Sequence, residues 1–139
     1  MTDYIIYDII ERERLFVAWK LLRYKTAAGE DVIENFLLSL PTSHRAKAIW
    51  ELDLLEKYGL SLRMPYVRSI KGDRYKGLME LRIQHGNNIS RIFYFLCVKD
   101  TLVLLHGFVK KDQKTPAKEL ETALRHKEDF LRRLDGWYL

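Results

Sequence analysis

Residues 77–111 read GLMELRIQHGNNISRIFYFLCVKDTLVLLHGFVKK, and the periodicity of this stretch decides the fold. From Gly77 the chain alternates. Met79, Leu81 and Ile83 point one way and Glu80, Arg82 and Gln84 the other, which is the two-residue period of a strand with one buried face. His85-Gly86-Asn87-Asn88 is a turn. Ser90–Val98 and Thr101–Val109 are apolar on both faces, as central strands are, and Lys99-Asp100 joins them as a tight hairpin. The stretch therefore predicts a three-stranded antiparallel meander.

Outward from the meander the period changes to that of helices. Downstream, Thr115-Pro116 reads as an N-cap followed by proline at the first helical position. The helix behind it places Leu120, Leu124, Phe130, Leu131 and Leu134 on its inner face. Upstream, a helix runs from about Arg45 to Tyr58, capped by Thr42 or Ser43, with Ala46, Ile49, Leu52 and Leu55 as its stripe and Gly59 as a left-handed stop. A shorter helix precedes it. Asp31 caps that helix with Glu34 three residues on, Ile33, Phe36, Leu37 and Leu40 share a face, and Pro41 ends it. Leu15–Tyr24 reads as a strand, with Ala27-Ala28-Gly29 as the turn after it. Strand, two helices, meander and helix make an α+β domain, with the helices packed on one face of an antiparallel sheet and the other face left as a working surface. Residues 15–139 form this single domain. Residues 1–14 form an N-terminal extension in which Tyr4–Ile10 reads as either a strand or an interaction arm.

The 139 residues suit one domain, and 47% hydrophobic with 31% charged residues can bury a core and stay dissolved. The longest apolar runs are strand-sized, well below the ~20 residues that span a bilayer, so no membrane partner is expected. The acidic start at Asp3, Asp8, Glu11 and Glu13 is unlike a secretory signal. Cys97 is the only cysteine, which excludes an intrachain disulfide and a cysteine-based metal cluster and suits a reducing cytoplasm. Net charge is +5 and unevenly spread. Residues 1–60 carry 8 Lys/Arg against 10 Asp/Glu, a balance of −2, whereas residues 61–139 carry 16 against 9, a balance of +7. A basic half suits either a polyanion such as nucleic acid or a plainly solvated face.

The familiar catalytic signatures are absent, with no Gly-rich phosphate loop, no HExxH and no nucleophile elbow. His44, His85, His106 and His126 are scattered, which argues against a metal site, and none is expected. His106, in an apolar strand, reads as a hydrogen-bonded core residue; His85, in a polar turn, is the better proton-transfer candidate. The cations gather around the meander instead. Lys71, Arg74 and Lys76 precede it, Arg82 lies on its polar side, Arg91 opens its second strand, and Lys110, Lys111 and Lys114 follow its third. Each has a plainer reading. Arg82 could pair with a carboxylate such as Glu80 or Glu121, Arg91 could be an edge residue snorkelling to water, and the three lysines could be a solvated loop. If they converge, they suit phosphodiester cleavage by a 2′-hydroxyl, in which charge growing on the phosphate oxygens is met by fixed guanidiniums. RNA is then implied, because it brings its own nucleophile. Tyr75 or Tyr94 could stack on a base or share a proton, although packing explains Tyr94 better.

The series Glu80-Leu81-Arg82, Arg91-Ile92-Phe93-Tyr94-Phe95, Leu104-Leu105-His106-Gly107-Phe108-Val109-Lys110-Lys111 and Gln113-Lys114-Thr115-Pro116 resembles the HigB branch of the RelE toxin superfamily, the phage-derived Gp49-like toxins. Phe36-Leu37-Leu38-Ser39-Leu40-Pro41 and the Gly59 stop fit as well, so the resemblance spans about residues 15–134. It implies a compact RelE-like fold and a toxin–antitoxin function: ribosome-dependent, metal-free cleavage of mRNA with no cofactor, neutralised by a helix-turn-helix antitoxin. By motif it implies Arg82, Arg91 and Lys110 or Lys111 as the catalytic cations. Lys71, Arg74, Tyr75, Lys76, His85 and Lys114 then form the RNA-binding set. The alternative is a non-catalytic member of the same fold that binds RNA or a partner.

Overall fold

The computed structural model describes residues 19–110 and 115–134. The order is β1 (Lys20–Arg23), α1 (Val32–Ser39), α2 (Thr42–Tyr58), β2 (Val67–Ser69), β3 (Leu78–His85), β4 (Asn88–Val98), β5 (Thr101–Lys110) and α3 (Ala117–Arg132). The α+β class and the meander are as expected, with β3 and β4 paired from Leu78↔Phe95 to His85↔Asn88 and β4 antiparallel to β5. The expected N-terminal strand is present as β1, its first part, residues 15–18, lying outside the described residues, as does the extension 1–14.

Two expectations about the sheet fail. It is a mixed five-stranded sheet in the order β1-β5-β4-β3-β2, because β1 runs parallel to β5, with Lys20 opposite Thr101 and Arg23 opposite Leu104. The helices also lie on both faces. On one, Ile33 and Phe36 of α1 and Ala48 and Leu55 of α2 pack against Leu81, Ile83, Ile92, Tyr94, Leu102 and Leu104. On the other, Ala123 and Phe130 of α3 pack against Leu78, Phe93, Phe95, Val103, Leu105 and Phe108. The physical reason is in β4 and β5, which are apolar on both sides; a sheet with two greasy faces must be covered twice.

Local signals explain most element ends. Asp31 caps α1, its Oδ1 accepting the Glu34 backbone N–H at 3.0 Å. Gly59 ends α2 at φ 52°. The side-chain caps expected for the other two helices are not made: Pro41 and Pro116 occupy the cap positions. Thr115 turns its hydroxyl to Glu80 instead. The stripe of α2 is also rotated from the expected one. His44, Ala48, Glu51 and Leu55 face inward, while Ala46 and Ile49 are exposed. Leu131 of α3 is likewise exposed, and Ala123 takes an inner place. The short β2 carries too few residues to show a period and was not anticipated.

A candidate anion site at the open end of the sheet

Strand register builds the site. Residues opposite one another share a face, so Arg82 stands beside Arg91, Glu80 beside Phe93, and Arg68 of β2 beside Glu80. Lys110, opposite Ile89 at the end of β5, lies on this same face. This is the α3 face, but the α3 core stops at Phe108. The cations lie beyond it on the same face.

Glu80 is the centre of the group and is fully buried. Its Oε2 accepts from Arg68 Nε at 2.6 Å and from Arg91 Nη1 at 2.7 Å, and its Oε1 accepts from the Thr115 hydroxyl at 3.3 Å. Arg91 is only 4% exposed, so the reading of an edge residue reaching for water is wrong; it sits on a central strand and is held by a carboxylate. Its Nε is buried without a hydrogen-bond partner among the described residues. Burial, then the neighbouring Arg68 and Arg82, push its guanidinium pKa down, while Glu80 holds it up. Arg82 is half-exposed, and its expected carboxylates are engaged elsewhere: Glu80 as above, and Glu121 with Arg74 and Tyr75. Among the described residues its side chain forms no ion pair. Lys110 is half-buried, and its ammonium is pushed below the ordinary lysine range by burial and then by Arg91, with Arg68 and Arg82 adding to the repulsion.

Two arginines therefore bond one carboxylate, and Arg82 and Lys110 stand close enough to act on Arg91 and on each other. Positive charge is in excess around Glu80, where it can act on an anion. Arg68, Arg82 and Arg91 line a small cleft of about 130 Å³ with Met64, Pro65 and Val67. Arg68 also borders a wider one of about 580 Å³, whose lining includes Lys71 and Thr115. Of the residues singled out from sequence, Arg82, Arg91 and Lys110 converge, with Lys71 at the flank. Arg74 and Tyr75 are held instead by Glu121 of α3, Arg74 Nε at 2.9 Å and the Tyr75 hydroxyl at 3.0 Å. Lys76 is exposed. His85 is exposed at the far end of β3, its ring 5.9 Å from that of His44, whose Nε2 is 2.8 Å from Ser90 Oγ. Lys111 and Lys114 lie outside the described residues. His106 is the structural residue expected, paired with Glu119 of α3 and stacked near Phe108. Tyr94 is fully buried, as packing required. Sequence reading missed Arg68, since nothing marked the three-residue strand that presents it. Among the described residues no three His, Cys, Asp or Glu side chains gather as a metal site would need. No helix among them is long and apolar enough to cross a membrane.

Residues 35–128, which contain the whole cluster, match the family described as phage derived protein Gp49-like. The chain belongs to the Gp49-like family. It is also 33% identical over 107 residues to "Probable endoribonuclease HigB1" of Mycobacterium tuberculosis, in strain CDC 1551 / Oshkosh and again in strain ATCC 25618 / H37Rv. That alignment covers 76% of this chain and 78% of each relative. The resemblance drawn from the series Glu80 to Pro116 is thereby borne out, and the cluster of cations is a feature of this Gp49-like chain.

Proposed function

We propose that this chain is an mRNA endoribonuclease, the toxin of a type II toxin–antitoxin pair with a RelE-like fold. It cleaves on the ribosome, in the cytoplasm, without a metal or cofactor, and a helix-turn-helix antitoxin neutralises it. The observation that carries the reading is the gathering of Arg68, Arg82, Arg91 and Lys110 near buried Glu80, in a chain 33% identical to a relative named "Probable endoribonuclease HigB1".

In this reading the RNA 2′-hydroxyl gives its proton to water as its oxygen attacks the adjacent phosphorus, the bond to the 5′-oxygen breaks, and a 2′,3′-cyclic phosphate and a 5′-hydroxyl result. Arg91, oriented by Glu80, and the uncommitted Arg82 stabilise the extra charge on the phosphate oxygens. Lys110, its ammonium made more acidic by burial and by Arg91, gives the leaving 5′-oxygen its proton. Arg68, Lys71, Lys76 and, beyond the described residues, Lys111 and Lys114 hold the RNA backbone. Arg74 and Tyr75 contribute once Glu121 releases them, and His85 has no part in the chemistry.

The test is single-turnover cleavage of mRNA on ribosomes, beside growth on induction with and without the antitoxin. Induction should arrest growth, and the antitoxin should restore it. Arg91→Ala should slow cleavage roughly 10²–10³-fold, the loss typical of one fixed donor, with a much smaller change in ribosome affinity. Arg91→Lys should rescue poorly, because one ammonium cannot serve Glu80 and a phosphate together. Soluble wild-type protein that neither arrests growth nor cuts would refute the proposal.

A further inference from the structure

The cation cluster has two unlike sides. The sheet sets β5, β4, β3 and β2 next to one another, so Lys110 on β5 and Arg68 on β2 flank Arg91 of β4 and Arg82 of β3 from opposite directions. Three strand spacings, roughly 14 Å, separate the two flanks. On the Arg68 flank lies the wide cleft of about 580 Å³, between β2 and the start of α3, whose lining includes Ile70, Lys71 and Leu120. That volume is within the ~300–1,000 Å³ of small-molecule sites. Met64 and Arg68 line this cleft and the small one of Arg82 and Arg91 alike, so the two adjoin. The wide cleft divides its chemistry as a nucleotide does. Ile70 and Leu120, both partly buried against the α3 core, make an apolar wall. Lys71 is exposed and forms no ion pair among the described residues. Arg68 gives its Nε to Glu80 at 2.6 Å while its side chain stays 48% exposed, which leaves its Nη groups available to an anion.

In-line chemistry turns these two sides into a direction. The attacking 2′-oxygen and the leaving 5′-oxygen stand on opposite sides of the phosphorus. With the phosphate at Arg82 and Arg91 and the leaving oxygen protonated by Lys110, the downstream nucleotide departs on the β5 side. The 2′-oxygen must then arrive from the β2 side. We propose that the wide cleft holds the nucleotide upstream of the cut, the one that supplies the attacking oxygen and keeps the cyclic phosphate. Its base lies against Ile70 and Leu120, Arg68 bridges it to the scissile phosphate, and Lys71 takes the phosphate on its 5′ side. RNA thus crosses the sheet with its 5′ end towards β2 and its 3′ end towards β5. The proposal rests on the reading of the chain as an RNA-cleaving protein with Lys110 as proton donor, and it adds the direction in which the strand is held.

The test uses binding, so that it stands apart from cleavage. Three uridine dinucleotides with 2′-O-methyl groups throughout, and therefore uncleavable, differ only at their ends: UpU, pUpU with a 5′-phosphate, and UpUp with a 3′-phosphate. Their affinities are measured at ~50 mM salt, where charge contacts are little screened. Wild-type protein should bind pUpU at least ~3-fold more tightly than UpU, the scale of one exposed ion pair. Lys71→Ala should remove that gain and leave the ratio of UpUp to UpU as it was, and Lys71→Arg, which keeps the charge, should retain it. A gain for UpUp that disappears in Lys71→Ala would reverse the strand and overturn the proposal. So would equal affinity for pUpU and UpU, or a pUpU gain that survives Lys71→Ala in a variant with an unchanged melting curve. Cleavage of ribosomal mRNA by the same protein separates the two readings. Any of those three results beside intact cleavage would reject the subsite and keep the nuclease. A Lys71-dependent gain for pUpU in a protein that does not cut would uphold the subsite and reject the nuclease.

Discussion

The carboxyl of Glu51 carries a pH signature of its own. Burial raises its pKa from 4.5 to about 7, against the opposing pull of Lys47 and Arg82. Below about pH 4.5 the group is protonated in both folded and unfolded chains and has no effect. Between 4.5 and 7 the folded state binds more protons than the unfolded one, so stability falls as pH rises. Above 7 the full penalty remains. Glu51→Gln removes the slope: the variant should match wild type near pH 4 and exceed it at pH 8 by on the order of 1–3 kcal/mol, read from urea midpoints across that range. Parallel pH profiles for the two proteins would show that Glu51 is already solvated. This carboxylate also shows what the sequence concealed. The sequence placed Ala46 and Ile49 on the inner stripe of α2 because they are apolar, whereas the fold buries Glu51 and His44 in their stead. Hydropathy marks where a side chain would rather be, and tertiary packing overrides it here. Arg82, Arg91 and Lys110 were legible because they ride on strands whose alternation is plain. Arg68 was not, since no period can be read from three residues.

At the level of elements, the seam between α1 and β5 is set by one glycine. Phe36 of α1 lies against the backbone of β5 at Gly107, so closely that a methyl group there would overlap its ring. Gly107→Ala should therefore destabilise the protein by about 1–3 kcal/mol, as overpacking does. Shortening the ring in the double variant Phe36→Leu, Gly107→Ala should make the two effects non-additive in a denaturant series. Simple additivity would mean that α1 shifts away without cost. The strands and helices themselves were legible, including Asp31 as a cap and Gly59 as a stop. How α3 packs was not. Its amphipathic face says that it covers something, but only the two-sided greasiness of β4 and β5 tells which face needed it.

Over the whole molecule, the uneven charge along the chain becomes a place. The four clustered cations, Arg68, Arg82, Arg91 and Lys110, all come from the basic stretch 61–139. If about four of these contacts form, log affinity for single-stranded RNA should fall against log salt with a slope near −3. Anisotropy of a labelled RNA between ~50 and 200 mM salt measures it, and a flat response would reduce the basic half to a solvated surface. The parallel seam between β1 and β5 has a further consequence, in the order of assembly. Each hairpin of the meander can close as soon as its residues exist, but Lys20 finds its partner only at Thr101, and closing so long a loop is slow. During synthesis, β1 therefore waits unpaired while most of the chain is made. A chain cut short before β5 leaves β1 without the strand it pairs with. In the finished protein, pulse-labelled refolding should find the amides of β3 and β4 protected first and those of β1 last.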